Sequence, residues 1–458
     1  MLDNLNNKKI TIAGTGRSAR AALDLVQARG ARPFVSDAEP IPEAFRQELD
    51  RCGIPWEDRG HSPAKFAQAG LVVLSPGVPL RQPAIEAALA AGVPVIGELE
   101  LASWYCAKPI LAITGTNGKT TATQLLHHLV QACGMRSMLV GNNDTPFCSV
   151  VDALAQVDYV VAEVSSYQLE TILHFRPHVA AVLNITPDHL ARHGTLEGYA
   201  EAKARIFMNQ TAADFAVLNG DDARVAALPL PAGAARRTFS QRSGAQVDIT
   251  LRGTELFDSY DRRLGDLSGV QLPGAHNREN ILAVVAMMEC LGFAPESYWP
   301  ALCSFPGVEH RLERAGDCNG VRIINDSKST NVDSLRVALE SFPEPIVLIA
   351  GGVGKGAPYE PLLPLVKDSV RALVAIGSDG PRLQRAFGGV TAVHAADSMA
   401  AAVDLAISLA RPGDVVLLSP ACASFDWYEN FEARGRDFKA CAQMAINRLT
   451  AAPVSQPG

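Results

Sequence analysis

The stretch from Ile113 to Gln124, ITGTNGKTTATQ, limits the fold of this chain more than any other. The apolar run ILAIT precedes it, and Leu125, Leu126, Leu129, Val130 and Cys133 recur behind it at helical spacing up to Gly134. A strand that ends in glycines and feeds a helix offers what a triphosphate needs: close backbone approach, aimed amides and a helix N-terminus. Gly115, Thr116, Asn117, Gly118 and Thr121 form the cradle, Lys119 is placed for the β and γ phosphates, and Thr120 for Mg²⁺. The spacing Gly115-x-x-Gly118-Lys119-Thr120 is shorter than that of the common phosphate loop, so a glycine turn with a snorkelling lysine is the competing reading. The strand before and the helix after favour the cradle. Such strand–loop–helix units belong to parallel α/β sheets.

A second loop lies about a hundred residues earlier, far enough to belong to a different α/β unit. Gly14-x-Gly16-x-x-Ala19 follows the strand KITIA and opens a helix from about Arg17 to Arg29, with Asp37 after the next strand, RPFVSD. This matches the dinucleotide fingerprint, and by itself suggests NAD. A pyrophosphate on a helix N-terminus with an acid near a ribose describes other nucleoside diphosphates equally well, and some such turns bind nothing. Two working loops imply two phosphate-bearing ligands, one consumed and one recognised.

At 458 residues the chain exceeds what one core usually serves. Alternating strands and helices run to CAKP at Cys106–Pro109, restart at LAITG, turn polar and strand-like between Gln246 and Gly274, and break at Phe305-Pro306-Gly307. A third set follows with VRIIND, PIVLIAGG, RALVAIG, TAVHA and DVVLLSP. Three α/β domains are expected, at 1–108, 109–306 and 307–458. Apolar residues make up 48% and charged ones 19%, which is ordinary for a folded globular chain, and a net charge of −7 gives no footprint for nucleic acid or anionic lipid. The nine cysteines contain no CxxC pair, which argues for a reducing compartment, and no apolar run approaches the roughly 18 residues of a membrane helix. A cytoplasmic protein without a signal sequence is expected, and the lack of a long heptad or exposed apolar stripe points to a monomer.

Glu163 ends the strand DYVVAE, where an acid can share Mg²⁺ with Thr120. Asp188 and His189, in TPDHLARHG, follow the strand HVAAVLNI at the kind of strand terminus where α/β ligand sites collect; His178 and His193 are expected to be solvated. Tyr199 and Lys203 are four apart and share a helix face, and the residues alone read Lys203 as an ordinary surface lysine.

Taken in order, GTNGKTT, EVSSYQLE, LNITPDHLARHGTLEGYAEAK, LPGAHNREN, HRLE, NDSKSTN, GGVGKG and SPACASFDWYENFEARG resemble the Mur ligases over essentially the whole chain. The resemblance implies an N-terminal Rossmann-like domain, a central P-loop ATP-binding parallel-sheet domain and a C-terminal Rossmann-like α/β domain. It implies an ATP-dependent ligase that adds D-glutamate to UDP-N-acetylmuramoyl-L-alanine in peptidoglycan-precursor synthesis. On that resemblance Gly14, Gly16, Ser18, Asp37 and the Ser75-Pro76-Gly77 turn face the UDP part, and Asn142 contacts the sugar-peptide. Lys119 and Thr120 hold the ATP phosphates, while Asn277, Asn280, Arg311 and Asp326 hold the rest of the nucleotide. Of two Mg²⁺ ions, the first falls to Thr120 and Glu163 and the second to His189 and to Lys203 as its carbamate. Lys328, Thr330, Lys355, Ser424 and Phe431 are the glutamate-side residues. The chain departs from the family pattern at Asp144, where glycine is commoner, and at Phe425, where leucine is. A related ligase for another amino acid such as L-glutamate, or for a folate-like acceptor, stays open. Outside the family, a nicotinamide oxidoreductase and a nucleotide-dependent switch protein stay open too.

Overall fold

A computed structural model describes residues 4–142, 145–242, 244, 246–272 and 274–451. It divides into two compact units, one running up to Val270 and including Arg278–Phe305, the other made of Gln271–Asn277 and the residues from Pro306 onward. Asp144 lies outside the described residues.

The first unit holds two sheets. Strands β1 (Lys9–Ala13), β2 (Arg32–Ser36), β3 (Trp56–Glu57), β4 (Leu71–Leu74) and β5 (Val95–Gly97) form a wholly parallel sheet in the order β3-β2-β1-β4-β5. The order reverses between β1 and β4, and the crevice at such a switch point is where doubly wound sheets take ligands. The second sheet contains β6 (Ile110–Thr114), β7 (Ser137–Gly141), β8 (Tyr159–Glu163), β9 (Val179–Val182), β10 (Phe215–Asn219), β11 (Ala235–Ser240), β12 (Ile249–Arg252), β13 (Glu255–Asp258) and β14 (Arg263–Asp266). Its order is β14-β13-β12-β11-β10-β9-β6-β8-β7, parallel except for the two hairpin pairings at the β14 edge. Here β6 sits between β8 and β9, so the loop that leaves it emerges at a second switch point.

All five residues of β6 are buried, as a central parallel strand requires. One hydrophobic core joins the two sheets: Leu23, Leu99 and Leu101 cluster with Phe147, Val160 and Val182, all at most 4% exposed. The short helix Glu98–Ser103 enters this core with two acids, Glu98 and Glu100. Glu100 is satisfied by the amides of Leu173, His174 and Phe175 and by the Trp104 indole. Glu98 accepts from the Cys148 amide through Oε1, while its buried Oε2 has no partner among the described residues, and burial pushes its pKa up to about 7.

The second unit is built on β15 (Glu313–Cys318), β16 (Val321–Asn325), β17 (Ile346–Gly351), β18 (Val370–Ile376), β19 (Ala392–Ala395) and β20 (Val415–Leu418), in the order β15-β16-β20-β17-β18-β19. Only the β15–β16 pairing is antiparallel. The long helix Phe431–Ala451 packs Phe438, Ala442 and Ala445 onto one face of this sheet.

The apolar segments named in the sequence all become strands, and the helix expected at Arg17–Arg29 spans Arg17–Ala28. The strands β3, β5, β11 and β15 were not expected. Two are too short for periodicity to register, and the other two, ARRTFS and ERAGDC, are polar runs whose strand state is imposed by pairing with neighbours.

Candidate functional site

The loop after β6 reaches the helix Lys119–Ala132 through Gly118, whose φ of +85° is left-handed. A Cβ on Gly118 would run into the side-chain amide of Asn280, which is itself buried. Glycine is therefore required here both by dihedral and by space. The loop is clasped from the chain that follows β9: Asn117 N–H donates to Asn184 Oδ1 at 2.9 Å, and Asn184 Nδ2 donates back to the Asn117 carbonyl at 3.2 Å. Thr116 N–H meets the Asn184 carbonyl at 3.0 Å, and Thr116 Oγ1 exchanges hydrogen bonds with the Thr186 backbone. Lys119 Nζ curls over its own loop to the carbonyls of Gly115 (3.0 Å) and Thr116 (2.9 Å). Thr120 and Thr121 are buried in the first turn of the helix.

Glu163 is in register with Ile113 across the β6–β8 pairing, which sets its carboxylate beside the loop. It is 2% exposed. Oε1 accepts from Asn142 Nδ2 at 3.0 Å, and Oε2 is buried with no hydrogen-bond partner among the described residues. An orphaned carboxylate oxygen beside a phosphate cradle fits a divalent cation, because an unpaired buried charge is otherwise costly.

Lys203 overturns its surface reading. It is 1% exposed, with Nζ donating to the Gly115 carbonyl at 2.8 Å and approaching Thr114 Oγ1 at 3.4 Å, and it stands 4.5 Å from the centre of the Tyr199 ring. Burial, with Lys119 adding to it, holds its pKa well below the ordinary lysine value, so the amine is held towards its neutral form. His189 is half exposed and left-handed (φ +53°), with Nε2 3.4 Å from the Asp188 carboxylate and Nδ1 3.1 Å from the Tyr167 hydroxyl. His193, expected to be solvated, lies instead between Ser166 and Glu170 and packs on Tyr167 and Tyr199, and burial lowers its pKa.

At the first sheet, Gly14 (φ +100°) abuts Ser75 and Val78, which brings the fingerprint loop and the turn after β4 together. Gly16 caps the helix that holds Ser18. Asp37 accepts from Thr15 Oγ1 at 2.6 Å and from Glu39 N–H at 3.0 Å. Thr15 escaped the sequence reading because the fingerprint leaves its position open. A cavity of about 550 Å³ lined by Lys9, Phe34 and Lys65 lies on the same sheet but includes neither loop.

In the second unit, Asp326 follows β16 and is 3% exposed. It accepts from Ser419 Oγ (2.9 Å) and Leu312 N–H (3.2 Å), and burial raises its pKa to about 7 against the opposing pull of Arg311. Lys328 Nζ stands 5.5 Å from the centre of the Phe431 ring, and Ser424 is buried. Thr330 is partly exposed, and Lys355 is exposed in the glycine-rich loop after β17. Phe425 is 71% exposed. Arg434, three residues past Phe431 on the same helix, was missed: it is 1% exposed, grips Ser327 through Nε (3.0 Å) and Nη2 (2.8 Å), and leaves Nη1 buried without a partner among the described residues. Burial lowers its pKa to about 10.

Comparison with known proteins gives the family. The model for the Mur ligase middle domain matches residues 113–288, that for the Mur ligase glutamate ligase domain 310–422, and that for the MurD-like N-terminal domain 8–97. The chain belongs to the Mur ligase family. The UDP-N-acetylmuramoylalanine–D-glutamate ligase of Pelotomaculum thermopropionicum is 43% identical over 454 residues, covering 96% of this chain and 98% of that protein. The protein of the same name from Koribacter versatilis is 41% identical over 95% and 97% of the two chains. Among solved structures, UDP-N-acetylmuramate-alanine ligase from Thermotoga maritima shares the fold with a TM-score of 0.58 at 23% identity, over 96% of this chain and all of the other. A MurF structure from Acinetobacter baumannii gives 0.59 at 18%, over 95% and 92%.

Within this Mur ligase, the structure brings Gly115, Gly118, Lys119, Glu163, Asn142 and Lys203 together around one loop, with Asn280 against it. Asn277 and Asn280 are three apart on the helix Ala275–Cys290, and the division between the two units passes between them. Asn184, Tyr199 and Arg434 are side chains of the sites that the motifs did not single out for a role. All three lay inside quoted motifs, so position was legible and role was not.

Proposed function

We propose that this Mur ligase joins D-glutamate to UDP-N-acetylmuramoyl-L-alanine with ATP as the activating substrate, in cytoplasmic peptidoglycan-precursor synthesis, and that it works as a monomer. A carboxylate is a poor acyl donor: its charge repels the amine, and its oxygen leaves badly. Phosphorylation removes both obstacles. The alanyl carboxylate attacks the γ phosphorus, ADP departs, and the amine of glutamate then displaces phosphate to form the amide. Lys119 and the amides of the Gly115–Thr120 loop offset the charge of the two approaching anions. Asn142 orients Glu163 and faces the sugar-peptide, and the turns at Gly14 and Ser75 hold the uridine diphosphate, with Gly16, Ser18 and Asp37 beside them. Asn277, Asn280, Arg311 and Asp326 hold the adenine nucleotide. Lys328, Thr330, Lys355, Ser424 and Phe431 receive glutamate, the lysines acting as point charges for a dianionic amino acid.

The observation that carries this reading is the buried Glu163 Oε2, which lacks a partner among the described residues and lies one strand from the phosphate loop. Thr120 and Glu163 would hold one Mg²⁺, and His189 and Lys203 a second; bound there, the ions supply charge neutralisation at the phosphates. For an anionic ligand at Lys203 the side chain must gain a carboxylate. A lysine amine held neutral by burial is the nucleophile that takes up CO₂ as a carbamate with release of a proton, and the depressed basicity of Lys203 supports that modification. The three-domain division at 1–108, 109–306 and 307–458 is part of the same proposal.

The test is product formation. Purified protein with Mg²⁺, ATP, the muramyl precursor and D-glutamate is expected to release ADP and phosphate and to yield the new amide in equal amounts. Product with L-glutamate instead would assign a different acceptor amine, phosphate release without either co-substrate would assign a switch protein, and no amide with any of these would refute the proposal.

A further inference from the structure

Arg192, which no role above uses, ties the two sheets of the first unit together. It lies three residues after His189, in the short helix Leu190–His193. Its Nε donates to both oxygens of Glu170 at 3.2 and 3.1 Å, and Nη2 donates to Glu170 Oε2 at 2.6 Å. The same Nη2 reaches across to the Val78 carbonyl at 3.0 Å. Val78 closes the turn after β4 by donating its N–H to the Ser75 carbonyl at 3.0 Å, and its side chain lies against Gly14. On the other side, the guanidinium stands 5.1 Å from the centre of the Tyr167 ring, whose hydroxyl bonds His189. The His189 ring in turn stands 6.2 Å from that of Tyr199, over which lies Lys203 with its bond to the Gly115 carbonyl, so a line of contacts runs from the two candidate diphosphate turns to the candidate phosphate loop.

The pair is built to be stiff. Arg192 and Glu170 side chains are 15% and 14% exposed, and a planar guanidinium bound along one edge to a carboxylate has little freedom to swing. Stiffness matters to an acceptor gripped at two places. When one end of a ligand is anchored, the effective concentration of its other end depends on how well the span matches. Misplacing a reacting group by about 1 Å can cost about a hundredfold in rate.

We propose that Arg192 is a positioning residue, a strut that fixes the distance between the turns holding the nucleotide end of the acceptor and the loop at which its carboxylate reacts. The proposal rests on the function proposed above. It separates anchoring from spanning: UDP alone uses only the turns, whereas UDP-N-acetylmuramoyl-L-alanine must use both places.

The experiment measures dissociation constants for UDP and for the precursor, by calorimetry or by competition, in the wild type and in Arg192→Ala, Arg192→Lys and Glu170→Gln, each with Mg²⁺ and a nonhydrolysable ATP analogue. In Arg192→Ala the precursor is expected to weaken about tenfold or more while UDP stays within about twofold. Arg192→Lys, which keeps the charge but loses the fork, and Glu170→Gln shift the precursor in the same direction, and they carry the test should the alanine variant not fold. Equal weakening of UDP and precursor would mean that the turn itself had been damaged, and unchanged precursor binding would mean that nothing is spanned; either result overturns the strut. Failure of the functional reading looks different, because there the wild type makes no amide and binds the precursor no more tightly than UDP.

Discussion

One acid and one base at the candidate phosphate loop, Glu163 and Lys203, owe their chemistry to burial rather than to identity. Glu163 ends a strand as many glutamates do, but its second oxygen is sealed from water beside the loop. Glu163→Gln preserves the shape and the contact with Asn142 while removing the charge. Its kcat for amide formation is expected to fall about a hundredfold or more, the range seen when one electrostatic partner of a transition state is lost. Steady-state kinetics on a variant with an unchanged circular dichroism spectrum checks this, and a loss under about threefold, less than one neutral hydrogen bond contributes, would remove Glu163 from the machinery. Lys203→Ala is expected to lose nearly all turnover, and added formate or acetate to restore part of it by lending the missing carboxylate. Full activity in the unrescued variant would dispose of the carbamate.

At the scale of elements, the helix Glu98–Ser103 is where pH enters stability. Glu98 is buried against Cys148 of the 3₁₀ segment Phe147–Gln156, and burial raises its folded pKa to about 7 from an ordinary value of 4.5. The fold thus favours the protonated acid. That contribution is complete below about pH 4.5 and is lost as pH rises through about 7. A shift of this size corresponds to about 3 kcal/mol at most. Melting of the wild type is therefore expected to drop between pH 5 and 8 by more than that of Glu98→Gln, in which nothing titrates. Parallel pH profiles for the two proteins would contradict the assignment. Asp326, raised to about 7 by its own burial, adds a slope of the same sign from the second unit.

For the whole molecule, each of the two units has hydrophobic clusters of its own: one runs from Leu5 to Leu228 in the first, while two others cover the faces of the sheet built on β16 and β17 in the second. Calorimetry is accordingly expected to show unfolding that is not two-state, with a calorimetric enthalpy above the van't Hoff value. An Mg²⁺–ATP analogue at about a hundred times its dissociation constant is expected to stabilise the folded protein by about 2.7 kcal/mol. One cooperative transition, insensitive to nucleotide, would argue against both the division and the nucleotide site. Among the described residues no helix is long and apolar enough to cross a membrane.

The sequence by itself determined the α/β class, the strands with long apolar runs, the place of both glycine loops and the position of Glu163, because these are local: periodicity, glycines at fixed offsets and an acid at a strand end. Motif order carried the family. Only the tertiary structure decided what surrounds each residue. Lys203 reads as a surface lysine until the helix Leu196–Ala204 presses it onto the Gly115 carbonyl. The tie from Arg192 to Val78 spans more than a hundred positions of chain, and the polar strands β11 and β15 exist because neighbours supply their hydrogen bonds. Burial and long-range pairing are properties of the packed chain, and no window of sequence contains them.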